Sequence, residues 1–315
     1  MDGICTLAND RVFDQLIALL NSIEANISCD IPVCIYPFDD QLNRVRDEIQ
    51  NRPNVMIYDD QESIQRWDEF MQRIAPERLD QKMRLYGAHR RFCAFDAPFD
   101  RFIYMDADTL AMSPMNHVFE QLNYHDWVTY DFQFLDPSKI YNLDCPKLYD
   151  VFSKERVDRE IFCSGFFASK GGLFNAEQRE SLVASLQMGD REILYGGAGE
   201  QPIINYMVMK SGIKSCNIAH FLPFGKSTGC SITSKHFEEK DHVLYDRGIR
   251  LTYLHYIGVK PQRMEQVCNG ENVAFPYRDL FLHYRFLHES EKYPLLQEIP
   301  QPNLVQKVLQ KLRRA

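Results

Sequence analysis

The stretch 101–112, RFIYMDADTLAM, decides how this chain is read. A short, mostly apolar run of strand-forming residues leads straight into Asp106-Ala107-Asp108. Such a run, ended by acidic residues, reads as a buried strand. In open parallel sheets, ligands bind outside the carboxyl ends of the strands. Two carboxylates delivered to that edge repel each other, and a divalent cation between them relieves the repulsion. Mg²⁺ and Mn²⁺ accept hard oxygen donors and keep positions open for phosphate oxygens. The stretch therefore predicts a metal held by Asp106 and Asp108 that faces a phosphorylated ligand.

The residues before it supply the sheet. Short apolar runs at 3–8, 31–38 and 54–58 predict further strands, separated by helical patterns. Asn9 and Asp10 offer cap side chains for a helix whose apolar positions are Val12, Phe13, Leu16, Ile17, Leu20 and Ile23. A polar helix is expected from Gln41, and two more near 61–75 and 79–95. Strand and helix in alternation imply parallel strands with crossover helices, an α/β doubly wound nucleotide-binding sheet. After Asp108 the apolar runs at 126–134, 161–168, 214–219 and 250–257 lie farther apart, as expected of mixed strands that complete the sheet and build a substrate pocket.

Bulk properties narrow the partners. With 315 residues, 45% hydrophobic and 25% charged, the chain has ordinary globular composition. A net charge of -8 gives a nucleic-acid partner no electrostatic support. A nucleotide still fits, provided a cation neutralises its phosphates. The nine cysteines show no CxxC pair, so reduced thiols are expected rather than a disulfide framework or a zinc knuckle. The opening MDGICTLANDR does not resemble a signal peptide, and charges interrupt every apolar run before it reaches membrane length, so a cytoplasmic location is expected. At the far end, 303–315 places Leu304, Val305, Val308, Leu309 and Leu312 on one stripe of a short helix, flanked by Lys307, Lys311, Arg313 and Arg314. Such a helix packs on its own protein, docks on a partner, or makes peripheral contact with an anionic membrane.

A second constellation lies at 253–261, YLHYIGVKP. His255 closes a strand, Gly258 permits close backbone approach, and Lys260 is presented by a turn stiffened by Pro261. An imidazole completes an Asp/Asp/His metal site, and a lysine nearby reaches the same diphosphate as a point charge. Phosphatases that use a strand followed by DxD would need Thr or Val where Leu110 stands. A nucleotidyltransferase would need a glycine-rich basic loop where TLANDRVFDQ stands.

FIYMDADTLAM (102–112) and HYIGVKP (255–261) together resemble the glycogenin and bacterial galactosyltransferase group of retaining glycosyltransferases with the GT-A fold. The resemblance runs from residue 3 to about residue 262 and includes three further stretches. TLANDR resembles the loop that receives the nucleoside, which falls here on Leu7, Ala8, Asn9 and Asp10. FCSGFF at 162–167 resembles the strand that borders the donor sugar, here through Ser164 and Gly165. GEQPIIN at 199–205 resembles the segment near the reacting sugar, here Glu200 and Gln201. The sequence departs from the family at Cys163, which replaces an Asn, and at Glu200, which replaces an Asp. The spacing from Gly258 to Lys260 is one residue shorter, and Gln262 replaces a Trp.

The resemblance implies a GT-A transferase over 1–262, with a nucleotide-binding half at 1–110 and a donor-sugar and acceptor half at 111–262. A helical extension would follow at 263–315. It implies a nucleotide-diphosphate sugar as donor, uridine diphosphate most often, and a glycan, lipid-linked or protein acceptor. Mn²⁺ (or Mg²⁺) would be held by Asp106, Asp108 and His255, with Ala107 and Gly258 beside the donor and Lys260 on the departing diphosphate. A basic residue of the helix before the DAD strand would meet the donor; Arg84 is favoured over Lys82, Arg90 and Arg91. Glu200 and Gln201 either steady the sugar or are polar positions on a helix's first turn. The other reading of the whole chain is a non-catalytic nucleotide-sugar sensor with the same site.

Overall fold

The computed structural model describes residues 1–79, 87–131, 133–196, 199–223 and 225–296. Lys82, Arg84 and the basic stretch 303–315 lie outside the described residues. The strands are β1 (Asp2–Ala8), β2 (Val33–Pro37), β3 (Val55–Ile57), β4 (Arg101–Met105), β5 (Thr109–Ala111), β6 (Trp127–Thr129), β7 (Phe166–Lys170) and β8 (Ser215–Asn217). Then follow β9 (Glu238–Lys240), β10 (Val243–Asp246), β11 (Ile249–Arg250) and β12 (Tyr253–His255). Seven of them form one sheet in the order β3-β2-β1-β4-β7-β6-β8. All pairings in it are parallel except those of β7, which runs against both β4 and β6. This is the mixed, mostly parallel GT-A arrangement.

Both faces of the sheet are buried, and the alternation along each strand shows why. In β4, Phe102 and Tyr104 enter one apolar cluster while Ile103 and Met105 enter the other. In β1, Cys5 and Leu7 face the first cluster, and Ile4 and Ala8 the second. The first cluster is covered by α3 (Gln61–Ile74), the 3-10 helix Ala88–Phe95, α7 (Ala176–Gln187) and α8 (Gln201–Lys210). The second is covered by α1 (Phe13–Asn26), α2 (Asn43–Ile49) and α4 (Asn116–Gln121). Two short helices, α5 (Leu148–Val151) and α6 (Lys154–Arg159), lie between β6 and β7 in sequence.

A third apolar cluster joins β5, β10 and β12 to α9 (Pro261–Cys268) and α10 (Arg278–Arg285). The last helix is fixed to α1. Arg285 Nε donates to Asp14 Oδ1 at 2.7 Å in a buried ion pair, and Asn21 Nδ2 donates to the Tyr284 carbonyl at 2.7 Å.

Most expected elements form where periodicity places them. The helix expected over 79–95 is seen only as the 3-10 segment Ala88–Phe95, since 80–86 lie outside the described residues. Asn9 accepts from Arg11 N as expected of a cap, whereas Asp10 Oδ1 accepts from Val45 N and ties the loop to α2. All nine cysteines are free thiols; five are buried and Cys29 is exposed. No helix among the described residues is long and apolar enough to cross a membrane.

The core on the first face centres on Phe167, whose ring stacks on Trp127 at 4.3 Å and on Tyr104 at 4.9 Å. Truncation there removes a fully buried aromatic that the surrounding strands cannot refill. Phe167→Ala is expected to cost about 3–5 kcal/mol, read as a lower urea midpoint with an unchanged slope.

Candidate functional site

Three chain segments meet at the carboxyl edge of β4. Because β7 is antiparallel to β4, with Met105 opposite Phe166, the loop that enters β7 lies beside the loop that leaves β4. Asp106 N accordingly donates to the Gly165 carbonyl at 2.9 Å. The chain turns at once into β5, with Thr109 N and Thr109 Oγ1 both donating to the Asp106 carbonyl, at 3.0 and 2.7 Å. There β5 pairs antiparallel with β12, Thr109 opposite His255, and Tyr256 N donates to the Asp108 carbonyl at 2.9 Å. Residues 147 positions apart in the chain are thus held side by side by backbone pairing alone.

The outcome is a compact ligand set. One ligand atom each from Asp106, Asp108 and His255 lies within 4.8 Å of the others. His255 Nε2 is 3.3 Å from Asp108 Oδ1. Two carboxylates and an imidazole suit Mn²⁺ or Mg²⁺. The surroundings also fit an ion. A Cβ on Gly165 would come within 2.5 Å of His255 Cε1 and 3.1 Å of Asp106 Oδ2, so only glycine leaves room beside both ligands.

Beneath this set runs a buried charge network. Arg91 Nη2 lies 3.1 Å from Asp106 Oδ1 and 3.0 Å from Glu200 Oε1, and Arg91 Nη1 donates to the Ser164 carbonyl at 3.0 Å. Tyr104 Oη donates to Asp106 Oδ1 at 2.9 Å. Gln201 Oε1 accepts from Ser164 N at 3.0 Å, so Glu200 and Gln201 at the start of α8 both fasten the loop before β7. Asn205, one turn on, brackets Phe162 by accepting from its N and donating to its carbonyl, each at 3.0 Å.

The titrations follow from these contacts. Burial drives the Asp106 carboxyl up; Arg91 opposes this and Asp108 adds to it, leaving the group above its usual range. Burial also pushes Asp108 up, but His255 beside it prevails and holds it below. For His255, burial disfavours the imidazolium, yet the Asp108 carboxylate more than offsets this and raises the group well above its ordinary value. Arg91 is raised as well, because Asp106 and Glu200 outweigh its burial.

Alongside lies a cleft of about 420 Å³. Of the residues singled out from sequence, Leu7, Ala8, Asn9, Asp106, Ala107, Asp108, Gly258 and Lys260 line it. Gly258 has φ +82°, a conformation that L side chains rarely adopt, and Lys260 precedes the first turn of α9. Ser164 and Glu200 are joined to it through Arg91, Gly165 through Asp106, Gln201 through Ser164, and His255 through Asp108. Asp10 is not among the lining residues. Arg84 lies outside the described residues, and Arg90 reaches Asp68 instead, at 3.1 Å. Of the described basic residues before the DAD strand, Arg91 is the one that reaches Asp106. In the sequence it stands as the second of two arginines directly before the apolar run Phe92–Phe95, where a charge drawn inside needs buried partners. Asp131 was also missed: it is buried, accepts from Gln133 N and Phe134 N, and lies near enough to His255 to bear on its charge. A larger cavity of about 970 Å³, lined by Arg73, Tyr141 and Arg191 among others, contains none of these groups.

Two outcomes follow. Gly165→Ala is expected to weaken Mn²⁺ binding by about 10–100-fold, measured by calorimetry, because it displaces both ligands. Mn²⁺ affinity is expected to rise with pH. His255 holds its proton well above its ordinary range in the free protein, so the ion must displace it, by up to about tenfold per unit where one proton is released. Titrations at pH 6 and pH 8 check the sign.

No protein-family model matches this chain, and no curated protein matches it. Solved structures do. The galactosyltransferase LgtC, in complex with donor and acceptor sugar analogues, is similar with a TM-score of 0.57 and 14% identity, over 96% of this chain and 98% of that one. An active-site mutant of LgtC is similar at 0.55 and 13%, over the same shares. The bifunctional glycosyltransferase WbbM in its apo form is similar at 0.51 and 12%; 94% of this chain spans about half of that one, 52%. At these identities the likeness speaks for the fold: this chain has the GT-A, Rossmann-like glycosyltransferase fold.

Proposed function

We propose that this chain is a metal-dependent glycosyltransferase that moves a sugar from a nucleotide-diphosphate sugar, of uridine type, to an acceptor hydroxyl with retention of configuration. The observation that carries it is the meeting of Asp106, Asp108 and His255 beside a cleft that both aspartates and Gly258–Lys260 line. Two carboxylates and an imidazole suit a divalent ion, and an ion flanked by an open cleft and a lysine suits a diphosphate.

In this reading Asp106, Asp108 and His255 hold Mn²⁺ or Mg²⁺, which supplies Lewis acidity to the diphosphate as its charge develops. Leu7, Ala8 and Asn9 border the nucleoside. Lys260 meets the departing diphosphate as a point charge. Arg91 keeps Asp106 and Glu200 in fixed positions, so neither must reorganise as charge moves. Glu200 and Gln201, with Ser164 and Gly165, face the sugar, and Glu200 places negative charge near the cationic transition state. The acceptor oxygen bonds to the anomeric carbon as the bond from that carbon to the diphosphate breaks, and the hydroxyl proton passes to a diphosphate oxygen. No protein base is required. A cavity of about 470 Å³, lined by Asp131, Phe134, Asp158 and Arg159 among others, is assigned to the acceptor. Residues 1–262 carry the transferase and 263–315 the extension.

Calorimetry with uridine diphosphate, with and without Mn²⁺, tests the donor site: binding is expected only with the ion and is expected to vanish in Asp108→Asn. Slow hydrolysis of the sugar donor in the absence of acceptor tests turnover, and Lys260→Ala is expected to lower it about 100-fold. Binding and release of intact donor would leave only the sensor reading. No metal-dependent nucleotide binding would overturn both.

A further inference from the structure

The cleft wall contains a polar group that the protein itself does not use. Gln15 lines the cleft, is only 4% exposed, and its Oε1 is shut off from solvent with no hydrogen-bond partner among the described residues. Among the side-chain atoms left in this state, on Thr6, Gln15, Tyr58 and Trp127, only that of Gln15 belongs to a residue lining this cleft.

Its place in α1 makes the orphaned amide more telling. Val12 is the N-cap of this helix, so Gln15 is its third residue. A glutamine there ordinarily reaches back to the backbone N–H of the cap. In this chain Val12 N already donates to the Asn9 carbonyl at 3.1 Å, and the reach-back is not made. The adjacent polar side chains are likewise spent: Asn9 donates to Asp39 Oδ2 at 2.8 Å and accepts from Arg11 N at 3.1 Å, and Asp10 accepts from Val45 N. The carbonyl oxygen of Gln15 is therefore left wanting a donor in a cleft whose lining includes the apolar Leu7, Val12 and Phe38.

We propose that Gln15 is a specificity-determining residue for the donor nucleotide: it hydrogen-bonds a donor group of the nucleoside, either the ring N–H of the base or a ribose hydroxyl. This rests on the reading of the cleft as a nucleotide site. A buried carbonyl kept without a partner costs the free protein stability and repays it only when a ligand supplies the donor. The same group rejects a ligand that brings none.

The test is calorimetry in Mn²⁺ with uridine diphosphate, guanosine diphosphate and pyrophosphate, on the full chain and on Gln15→Leu and Gln15→Met. The expected result is that a nucleoside diphosphate binds more tightly than pyrophosphate, that either substitution weakens the nucleotide about 3- to 10-fold, and that pyrophosphate is unaffected. The urea midpoint of both variants is expected to hold or rise, which a merely structural glutamine would not allow. N3-methyluridine diphosphate and the 2′- and 3′-deoxy diphosphates then separate the two sources. The one that supplies the donor loses affinity in the wild type and loses none further in Gln15→Leu. Equal losses for nucleotide and pyrophosphate, or no loss for either, overturn the role of Gln15 while the diphosphate site stands. A wild type that binds none of the diphosphates in Mn²⁺ overturns the nucleotide reading itself.

Discussion

The concentration of charge at the end of β4 is the constraint on which the rest of the site depends. Asp106, Asp108 and Glu200 converge there, countered by Arg91 and by an imidazole whose protonated form Asp108 favours. Three carboxylates against two cations leave an excess of negative charge in a largely buried place, where mutual repulsion is poorly screened. A divalent ion in place of the His255 proton would balance the set against Arg91. The same balance explains why Arg91 lies under the ligands and not among them. It neutralises Asp106 and Glu200 from the protein side and leaves the cleft side of the carboxylates open.

Local periodicity carried a great deal of this. The strand 101–105, its acidic exit, the strand ending at His255 and the helix start at Glu200–Gln201 are each legible from a few neighbouring residues, since alternation and capping are local physics. What was not legible is long-range. The direction of β7 relative to β4 decides that Gly165 packs against Asp106 and His255, and no residue in 161–168 encodes that direction. Arg91 was visible only as one of four basic residues before the DAD strand. Its selection depends on how the 3-10 segment Ala88–Phe95 rotates its side chains into the sheet, with Arg90 turned to Asp68 and Arg91 to Asp106. Asn9 and Asp10 show how a polar side chain in such a loop also serves the fold, Asn9 while lining the cleft. Both are polar and both stand in the ligand-facing loop, yet their hydrogen bonds go largely into holding the loop.

The extension beyond the last site strand has a part in this economy. Tyr256, directly after His255, donates from Oη to the Tyr277 carbonyl at 2.9 Å. Eight residues later α10 is pinned to α1 by the Arg285–Asp14 pair and by Tyr284, whose Oη accepts from Asn26 at 2.8 Å. The first turn of α1 and the histidine strand are therefore tied to one and the same segment. Across the mouth of the cleft, the Gln262 amide, oriented with its oxygen toward Arg11, accepts from Arg11 Nη2 at 2.9 Å. Arg11 and Gln262 thus link the segment before α1 to α9, and α10 links α1 to the chain that follows the histidine strand. A buried ion pair is a poor source of net stability but a strong source of fixed geometry, because removal of either partner strands the other. The Arg285–Asp14 pair in this way fixes the first turn of α1, which carries the cleft residue Gln15, against α10.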